Sequence, residues 1–540
     1  LEKRKKMHNR EKKWVAKLDE IDLLNNLISW LNFFFWQKWI GKRTNMSTEN
    51  KFIADFMKTF KYEGLTFDDV SLITQYSDFL PNESDIASKL TKNISQKIPF
   101  LSAAMDTVTE APMAIAMAMM GGIGVIHKNL NPIEQASQVS RVKHHLNGLI
   151  QDPVTFNADD TLLTISDSRE KNRYTFSGFP IVDKNKKLVG ILTSKDIRFS
   201  PSKTASVSEI MTKDVISASP NTNLKQAYDI MLKHKIGKLP LVKNGKLVGL
   251  YSYADVKSLI KNVEPLFNRD ENYRLRVAAG VGPNDNERVE LLNEEQVDIL
   301  VVDTAHGHSK GVLDMIKWIK KNYSHIDVIA GNIATSEAAL DLKKAGADAV
   351  KVGIGPGSIC TTRVVTGVGV PQISAIYSVS NALKGSIPVI SDGGIRHSGD
   401  VAKAIVAGAD TVMMGSVLAG TNESPGEKIL YEGRQYVIYR GMGSLDAMKS
   451  RSGSRERYGL KNEDELVPQG IEGMVPFSGS VSKVIKQYCG GLQASLGYCG
   501  TRNINLLKQN GKFIRISNAG AIEAHAHDVK ITKEAPNYRR

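Results

Sequence analysis

The sequence predicts an α/β fold, a (β/α)₈ TIM barrel that is interrupted by a second, inserted domain. Three observations predict it: short apolar runs recur along the chain, helix-like segments separate them, and the pattern stops near Gly148 and resumes near Arg276. Continuous apolar strands joined by helical crossovers are typical of a parallel sheet covered on both faces. The number of such units fits a closed eight-stranded barrel better than an open sheet.

The barrel elements follow one another in chain order. A helix of small residues is expected over 111–121, and a buried strand over 123–127 comes after it. Beyond the interruption, six apolar runs follow, most of them ending in Gly or Asp, at 277–281, 299–303, 328–331, 349–353, 388–392 and 411–415. Helices over 336–345 and 399–407 are each followed by Gly-Ala-Asp, which leads into the next strand.

The interruption, residues 149–263, contains an internal repeat. The segment that runs from Phe179 to Asp196 matches the one from Leu239 to Asp255, and the two aspartates are 59 residues apart. Two copies are too few for a solenoid, so a paired module is expected, with repeats over about 149–207 and 208–263. The catalytic barrel would then comprise residues 47–148 and 264–540.

Composition and charge exclude several classes of protein. With 41% apolar and 24% charged residues, the chain is too apolar to be disordered throughout. Its three cysteines cannot build a disulfide framework, which favours a reducing, cytoplasmic location. No run reaches about 18 apolar residues, so no membrane partner is expected. The net charge of +14 forms no basic stripe beyond residue 46, which disfavours a nucleic-acid partner; binding of nucleic acid by the basic residues 1–46, as an additional role, is the alternative left open.

Residues 1–46 differ from the rest of the chain. They hold four of the five tryptophans and 11 of the 71 Lys and Arg residues. We expect an atypical leader, disordered or nonnative, that precedes Met46. The apolar run 27–36 also fits an amphipathic helix lying on a surface. A secretory signal is disfavoured because basic residues, rather than a small-residue cleavage site, follow the run.

The segment 352–363, Val-Gly-Ile-Gly-Pro-Gly-Ser-Ile-Cys-Thr-Thr-Arg, is the most informative in the chain. Its three glycines allow tight bends and a close backbone approach to a ligand or ion. Cys360 follows a predicted barrel strand at the end where catalytic groups of this fold collect. Helix N–H groups and Arg363 nearby would favour a thiolate nucleophile. An inert, packed thiol is the alternative for Cys360, and it is the expected state of Cys489 and Cys499.

Three further glycine-rich strand ends lie at 391–395, 414–417 and 439–444. Each offers backbone N–H groups beside a polar side chain, the composition of a phosphate site after the later strands of a barrel. Asp392 is suited to hold ribose hydroxyls, and Ser358 and Ser416 to donate to phosphate. Any single glycine pair is explained equally well by a tight turn, but three after adjacent strands favour a nucleotide site.

These motifs resemble the inosine-5′-monophosphate (IMP) dehydrogenase family, of the bacterial type with tandem CBS domains. The resemblance covers the chain from about Lys61 to its C-terminus, and its motifs are Ser102–Glu110, Val301–Ser309, Gly353–Arg363, Asp392–Gly394, Tyr439–Gly443 and the paired insert. It implies that Cys360 attacks C2 of IMP, that hydride passes to NAD, and that water hydrolyses the covalent thioimidate to xanthosine monophosphate. That oxidation is the committed step of guanine nucleotide synthesis.

The resemblance also implies a role for individual residues. A flap at about 445–475 would carry Arg457 and Tyr458, which activate the water, and Thr362 would lie close to the reacting centre. Gly459 follows this pair where the family often has an aromatic residue, so flap closure is expected to differ. The residues implied for the nucleotide are Ser358, Asp392, Gly393, Gly394, Gly415, Ser416, Tyr439, Arg440, Gly441, Met442, Gly443 and Gln469. Those implied for NAD are Asp303, Gly353, Ile354 and Gly355.

A monovalent cation, usually K⁺, is implied as well. Its ligands would be carbonyls of Gly355, Gly357 and Cys360, completed by Glu523, Ala524 and His525 of a neighbouring subunit. A site shared between chains implies a homotetramer, and tetramers of this family often pair into octamers through the CBS modules. ATP or GTP is the implied ligand of that module, where Asp196 and Asp255 either contact a ribose or cap a helix.

Two alternatives remain open from the sequence. GMP reductase shares the barrel and the cysteine loop but typically lacks the Arg-Tyr flap and the CBS pair. A non-catalytic CBS nucleotide sensor would keep the barrel only as a scaffold. The presence of Cys360, Arg457, Tyr458 and Asp303 together favours the dehydrogenase.

Overall fold

The computed structural model describes residues 50–60, 63–145, 149–150, 153–172, 178–200, 202, 204–261, 266–450, 452–458 and 466–538. The predicted leader, residues 1–46, lies outside these ranges, as does Gly459 of the predicted flap. Within them, no helix is both long and apolar enough to cross a membrane.

Strands and helices alternate along most of the described chain. The strands are β1 Val70–Leu72, β2 Ser88–Lys89, β3 Ser95–Gln96, β4 Phe100–Ser102, β5 Ile123–Ile126, β6 Leu149–Ile150, β7 Phe156–Asn157, β8 Phe179–Val182, β9 Leu188–Leu192, β10 Lys238–Lys243, β11 Lys246–Ser252, β12 Ala278–Val281, β13 Ile299–Asp303, β14 Asp327–Ile333, β15 Ala349–Val352, β16 Val389–Asp392, β17 Thr411–Met414, β18 Lys428–Tyr431, β19 Arg434–Arg440, β20 Glu472–Pro476 and β21 Phe513–Arg515. The helices are α1 Lys51–Thr59, α2 Ala111–Met119, α3 Pro132–His144, α4 Leu162–Asn172, α5 Ser194–Arg198, α6 Val207–Ile210, α7 Leu224–His234, α8 Tyr253–Lys261, α9 Asn286–Glu294, α10 Lys310–Asn322, α11 Ser336–Ala345, α12 Thr362–Thr366, α13 Gln372–Leu383, α14 Ser398–Ala407, α15 Ser416–Ala419, α16 Leu445–Ser450, α17 Ser452–Arg457, α18 Val481–Tyr498, α19 Ile504–Asn510 and α20 Asn518–Glu523.

Eight parallel strands close into a barrel in the order β12-β13-β14-β15-β16-β17-β4-β5. The barrel closes where β4 pairs with β17 on one side and with β5 on the other. The predicted (β/α)₈ fold is therefore confirmed. Seven of its strands match the predicted apolar runs; the eighth, β4, follows Pro99 and has only three residues, which is too short to show a pattern.

Alternate side chains of each barrel strand point to opposite faces. On β13, Ile299 and Val301 point into the barrel, where they pack with residues of the other strands. Leu300 and Val302 point outward and pack in the larger core beneath the surrounding helices. Because both faces of the strands are buried, the strands have the continuous apolar sequences from which the fold was predicted.

A short hairpin, β2–β3, covers the N-terminal end of the barrel. Its Leu90 and Ile94 are buried in the barrel interior. The backbone N–H of Lys92 donates to the Asp348 carbonyl at 3.0 Å, just before β15. With this end covered, ligands reach the barrel at the carboxyl ends of its strands, where TIM-barrel active sites lie.

Between β5 and β12 lie two three-stranded sheets, β7-β8-β9 and β10-β11-β6. The antiparallel pairs β8–β9 and β10–β11 belong to the two copies of the sequence repeat and share one feature, a register shift near the end of the first strand. Each pair packs in its own apolar cluster. Assignment of this region as a tandem CBS module stays a prediction.

Candidate active site

The loop after β15 carries the predicted nucleophile and is shaped by its glycines. Gly353 has a φ of +152°, and a Cβ there would lie 2.1 Å from the carbonyl oxygen of Asp392, so no other residue fits. Arg363 stabilises the loop, because its guanidinium donates hydrogen bonds to the carbonyls of Ile354 at 2.9 Å and Val370 at 2.7 Å. The guanidinium thus supports the backbone around the cysteine.

Cys360 is half-buried and lies between its own loop and the segment before β20. Its thiol donates to the Thr362 hydroxyl at 3.2 Å and lies 3.7 Å from the carbonyl oxygen of Gln469. The backbone N–H of Thr361 donates to the same Gln469 carbonyl at 3.0 Å, and that of Ile471 donates to Ile359 at 3.0 Å. This pairing places residues 469–471, within the predicted flap, against the cysteine.

One cavity at the carboxyl ends of the barrel strands brings the predicted residues together. Cys360 and Thr362 line it, as do Arg457 and Tyr458. So do the residues predicted for NAD and for the nucleotide, with one exception: Asp303, Gly353, Ile354, Gly355, Ser358, Asp392, Gly393, Gly394, Gly415, Ser416, Tyr439, Gly441, Met442, Gly443 and Gln469. Residues from seven different parts of the chain thus converge on a single site.

The exception is Arg440. Its Nε and Nη2 donate to the carboxylate of Asp106 at 3.2 and 2.8 Å, and its backbone N–H donates to the Thr107 hydroxyl at 3.2 Å. The side chain thus joins the end of β19 to the loop after β4, and Arg440 does not line the cavity. Binding of the nucleotide by Arg440 stays a prediction, and its described contacts favour a supporting role.

A buried lysine that the sequence analysis did not single out lies at the centre of the site. Nζ of Lys351 on β15 is 3.0 Å from the Asp303 carboxylate and 2.7 Å from that of Asp392, and it contacts the Asn332 side-chain oxygen. The Lys351 side chain is only 1% exposed. Asn332 also donates to Asp392 at 2.9 Å. The network fixes the two predicted ligand-binding carboxylates relative to one another.

The short helix α17 brings Arg457 and Tyr458 to the cysteine. The Arg457 guanidinium contacts the Asp303 carboxylate, and the Arg457 carbonyl accepts a hydrogen bond from the backbone N–H of Ala305 at 3.1 Å. Burial lowers the pKa of Arg457, and the neighbouring Tyr458 opposes that shift. Burial raises the pKa of Tyr458, whereas Arg457 lowers it.

Tyr439, near the end of β19, lines the same cavity. Its hydroxyl lies 3.7 Å from the Met105 sulfur, and burial raises its pKa well above the ordinary value. A Cβ at Gly415 would lie 2.8 Å from the Tyr439 hydroxyl, so a glycine is needed where β17 ends. Tyr439 is therefore a neutral hydrogen-bonding group at neutral pH.

The two halves of the predicted cation site lie on different elements. Gly355 and Gly357 line the cavity beside Cys360. Glu523 ends α20, and the His525 ring lies 5.9 Å from that of His397, before α14. Among the described residues, no group of three or more His, Cys, Asp or Glu side chains could hold a metal ion. A site made of backbone carbonyls stays a prediction.

Both aspartates of the repeat lie in the first turn of a helix. The Asp196 carboxylate accepts hydrogen bonds from the backbone N–H and hydroxyl of Thr193, both at 2.7 Å, and so caps α5. Asp255 lies in the first turn of α8. Capping is one of the two roles predicted for these residues, and nucleotide binding by the inserted region stays a prediction.

Residues 64–527 match the model of the IMP dehydrogenase / GMP reductase domain. The chain is 52% identical to inosine-5′-monophosphate dehydrogenase of Aquifex aeolicus over 88% of its length and 98% of that protein. It is 48% identical to the Bacillus subtilis enzyme of the same name, over 89% of this chain and 98% of that one. The chain is also similar to a crystal structure of GMP reductase from Trypanosoma brucei, a cysteine-to-alanine variant in complex with guanosine 5′-monophosphate. The two superpose with a TM-score of 0.71 at 36% sequence identity, and the match covers 86% of this chain and 98% of that chain. The chain belongs to the IMP dehydrogenase / GMP reductase family.

Proposed function

We propose that this protein is an NAD-dependent oxidoreductase that converts IMP to xanthosine monophosphate in guanine nucleotide biosynthesis. One observation carries the proposal: the cavity that contains Cys360 also contains Arg457 and Tyr458 beside Asp303. Relatives that are 48–52% identical over nearly their whole length are named inosine-5′-monophosphate dehydrogenase. The site would therefore supply groups for both halves of a two-step reaction.

The nucleotide would be held by the glycine-rich strand ends. Asp392 would accept hydrogen bonds from ribose hydroxyls; its contacts with Lys351 and Asn332, which hold the carboxylate in the site, support this role. Ser358 and Ser416 lie in the same cavity and would donate to phosphate, together with backbone N–H groups of Gly393 and Gly394. These contacts would present C2 of the purine to the sulfur of Cys360.

Cys360 would act as the nucleophile of the first step. The thiol loses its proton, and its sulfur forms a bond to C2 of the purine. NAD⁺, when bound, supplies a hydride acceptor for the hydrogen of C2. Loss of that hydride leaves a purine thioimidate on Cys360. Dividing one difficult displacement into two easier steps is the general advantage of covalent catalysis.

Arg457 and Tyr458 would serve the second step, in which water adds to C2 and the carbon–sulfur bond breaks. Removal of a proton from this water requires a base, the role proposed for Arg457; burial lowers the pKa of Arg457, whereas Tyr458 and the paired Asp303 carboxylate favour its charged form. Asp303 pairs with Arg457 in the structure, so its carboxylate is not free for NAD at the same time. The described arrangement thus fits the hydrolysis step better than hydride transfer.

The remaining proposals concern the cation, the assembly and the location. K⁺ would be bound by carbonyls of Gly355, Gly357 and Cys360, with Glu523–His525 supplied by a second copy in a homotetramer. The inserted region would bind ATP or GTP and allow tetramers to pair into octamers. Cys360, Cys489 and Cys499 are free thiols, which supports a cytoplasmic location.

GMP reductase is the second candidate, and its structural likeness to the chain is the observation that favours it. Two assays on the full chain separate the candidates. IMP with NAD⁺ in the presence of K⁺ is expected to yield NADH and xanthosine monophosphate. GMP with NADPH should yield neither IMP nor ammonia. A Cys360→Ala variant should retain IMP binding and make no NADH. Ammonia release from GMP, with no NADH from IMP, would refute the proposal and show that the protein acts as a GMP reductase.

A further inference from the structure

A second ion pair, between Lys128 and Glu456, connects α17 to the barrel. Nζ of Lys128, which follows β5, lies 2.9 Å from the Glu456 carboxylate and 3.2 Å from that of Asp285. The Lys128 side chain is 4% exposed and that of Glu456 is 48% exposed. A buried cation is therefore shared between a carboxylate of the barrel and one of α17.

The barrel holds Lys128 in place independently of α17. Asp285 accepts a hydrogen bond from the backbone N–H of Gly282 at 2.7 Å and pairs with Arg288 at 3.3 Å. Arg288 in turn donates to the side chain of Gln135 at 2.8 Å. A Cβ at Gly282 would lie 2.4 Å from Nζ of Lys128, so the glycine leaves room for the ammonium.

The helix approaches this strand end closely. A Cβ at Gly453 would lie 2.5 Å from the carbonyl oxygen of Lys128, so only glycine permits the contact. One residue later, the backbone N–H of Ser454 donates to the side chain of Asn129 at 3.3 Å. Backbone packing, one hydrogen bond and the Glu456 ion pair thus dock α17 on residues 128–129.

We propose that the Lys128–Glu456 ion pair positions Arg457 and Tyr458 for the hydrolysis step, a proposal that rests on the proposed function. Glu456 directly precedes Arg457, so its contact with Lys128 limits the rotation and displacement of the short helix that presents the guanidinium. Cys360 lies on a different loop, held by Arg363. Loss of the pair therefore acts on hydrolysis and spares formation of the thioimidate.

The test is Glu456→Gln in the full chain, compared with Glu290→Gln, which removes the same charge from an exposed position on α9, outside the flap. Rapid mixing of enzyme, IMP and NAD⁺ should give a first-turnover burst of NADH within twofold of the parent. The steady-state rate should fall about threefold to tenfold, which corresponds to about 0.65–1.4 kcal/mol in the activation free energy, with KM for IMP unchanged. Glu290→Gln should match the parent in both phases.

Two further measurements separate positioning from damage to the fold. Lys128→Met should slow the same phase, and the double variant should lose no more than the larger single effect, because both changes remove one interaction. Trypsin cleavage after Arg455, which requires no substrate, should be faster in Lys128→Met, a variant that leaves the sequence at the cleavage site unchanged. A steady-state rate and cleavage rate equal to the parent's would overturn the proposal, and so would an equal fall in burst and steady state. Absence of NADH from the parent would instead refute the proposed function, and the cleavage assay would still test the ion pair.

Discussion

Replacement of Lys351 by Met is expected to destabilise the barrel strongly, because one buried ammonium serves two carboxylates. The side chains of Lys351 and Asp303 are 1% and 4% exposed, and Asp392 pairs with the same Nζ at 2.7 Å. Methionine fills a similar volume and removes the charge. The two carboxylates would then be neighbours without the cation between them.

The expected loss follows from the partners that remain. Removing one member of a buried ion pair typically destabilises a protein by about 3–5 kcal/mol, because a charge is left unpaired in a poorly solvated place. Asp303 keeps its contact with Arg457, and Asp392 keeps a hydrogen bond from Asn332. We therefore expect the lower end of the range, a loss of about 3 kcal/mol in the free energy of unfolding.

Urea unfolding followed by far-UV circular dichroism measures this loss on the barrel transition. Lys344→Met, at an exposed position of α11, is the matched control and should change the free energy by less than about 0.5 kcal/mol. The double variant Lys351→Met with Asp392→Asn should recover part of the loss, because it removes one unpaired charge. A Lys351→Met loss below about 1 kcal/mol, or a double variant that is less stable than the single, would refute the reasoning.

Three further outcomes are expected. Burial lowers the pKa of Arg457, and the neutral guanidine fraction grows as pH rises, so the rate of thioimidate hydrolysis should increase through the alkaline range while the NADH burst stays constant. Stopped-flow absorbance at several pH values measures both phases. A parallel rise of burst and hydrolysis would count against Arg457 as the base. Arg440→Met should change KM for IMP less than about threefold, because the Arg440 guanidinium donates to Asp106 and Arg440 does not line the cavity. Steady-state kinetics measures KM, and a tenfold rise would instead support direct binding of the nucleotide by Arg440. Exchange of K⁺ for Li⁺ should lower turnover if carbonyls of Gly355 and Gly357 bind the cation, and equal turnover in both salts would remove that site.

The barrel could be predicted from the sequence because its strands are buried on both faces. Runs such as 299–303 and 411–415 are apolar at every position or nearly so, and the structure has strands at Ile299–Asp303 and Thr411–Met414. The strand Phe100–Ser102 was missed, since three residues after a proline show no periodicity. Burial on one face only would instead have left alternating apolar and polar residues.

The site was predictable where the chemistry needs a rare residue type beside glycines, as in 353–360. It was not predictable where the chemistry depends on packing across strands. Lys351 stands in the apolar run Ala349–Val352, where the one signal available was a charged residue inside a buried strand. Lys128 and Glu456 are 328 residues apart, and nothing in their local sequences pairs them. Arg440 was assigned to the nucleotide from its neighbours, although its guanidinium contacts Asp106.

The separation of two steps at one cysteine is the central claim, and Arg457→Ala tests it most directly. The NADH absorbance is followed after the enzyme is mixed with IMP, NAD⁺ and K⁺, and the nucleotide content of the stalled enzyme is measured by mass spectrometry. The account predicts one equivalent of NADH per Cys360, followed by a nearly stalled phase in which nucleotide stays bound to that residue. A variant that turns over like the parent, or that makes no NADH in the first turnover, would contradict it.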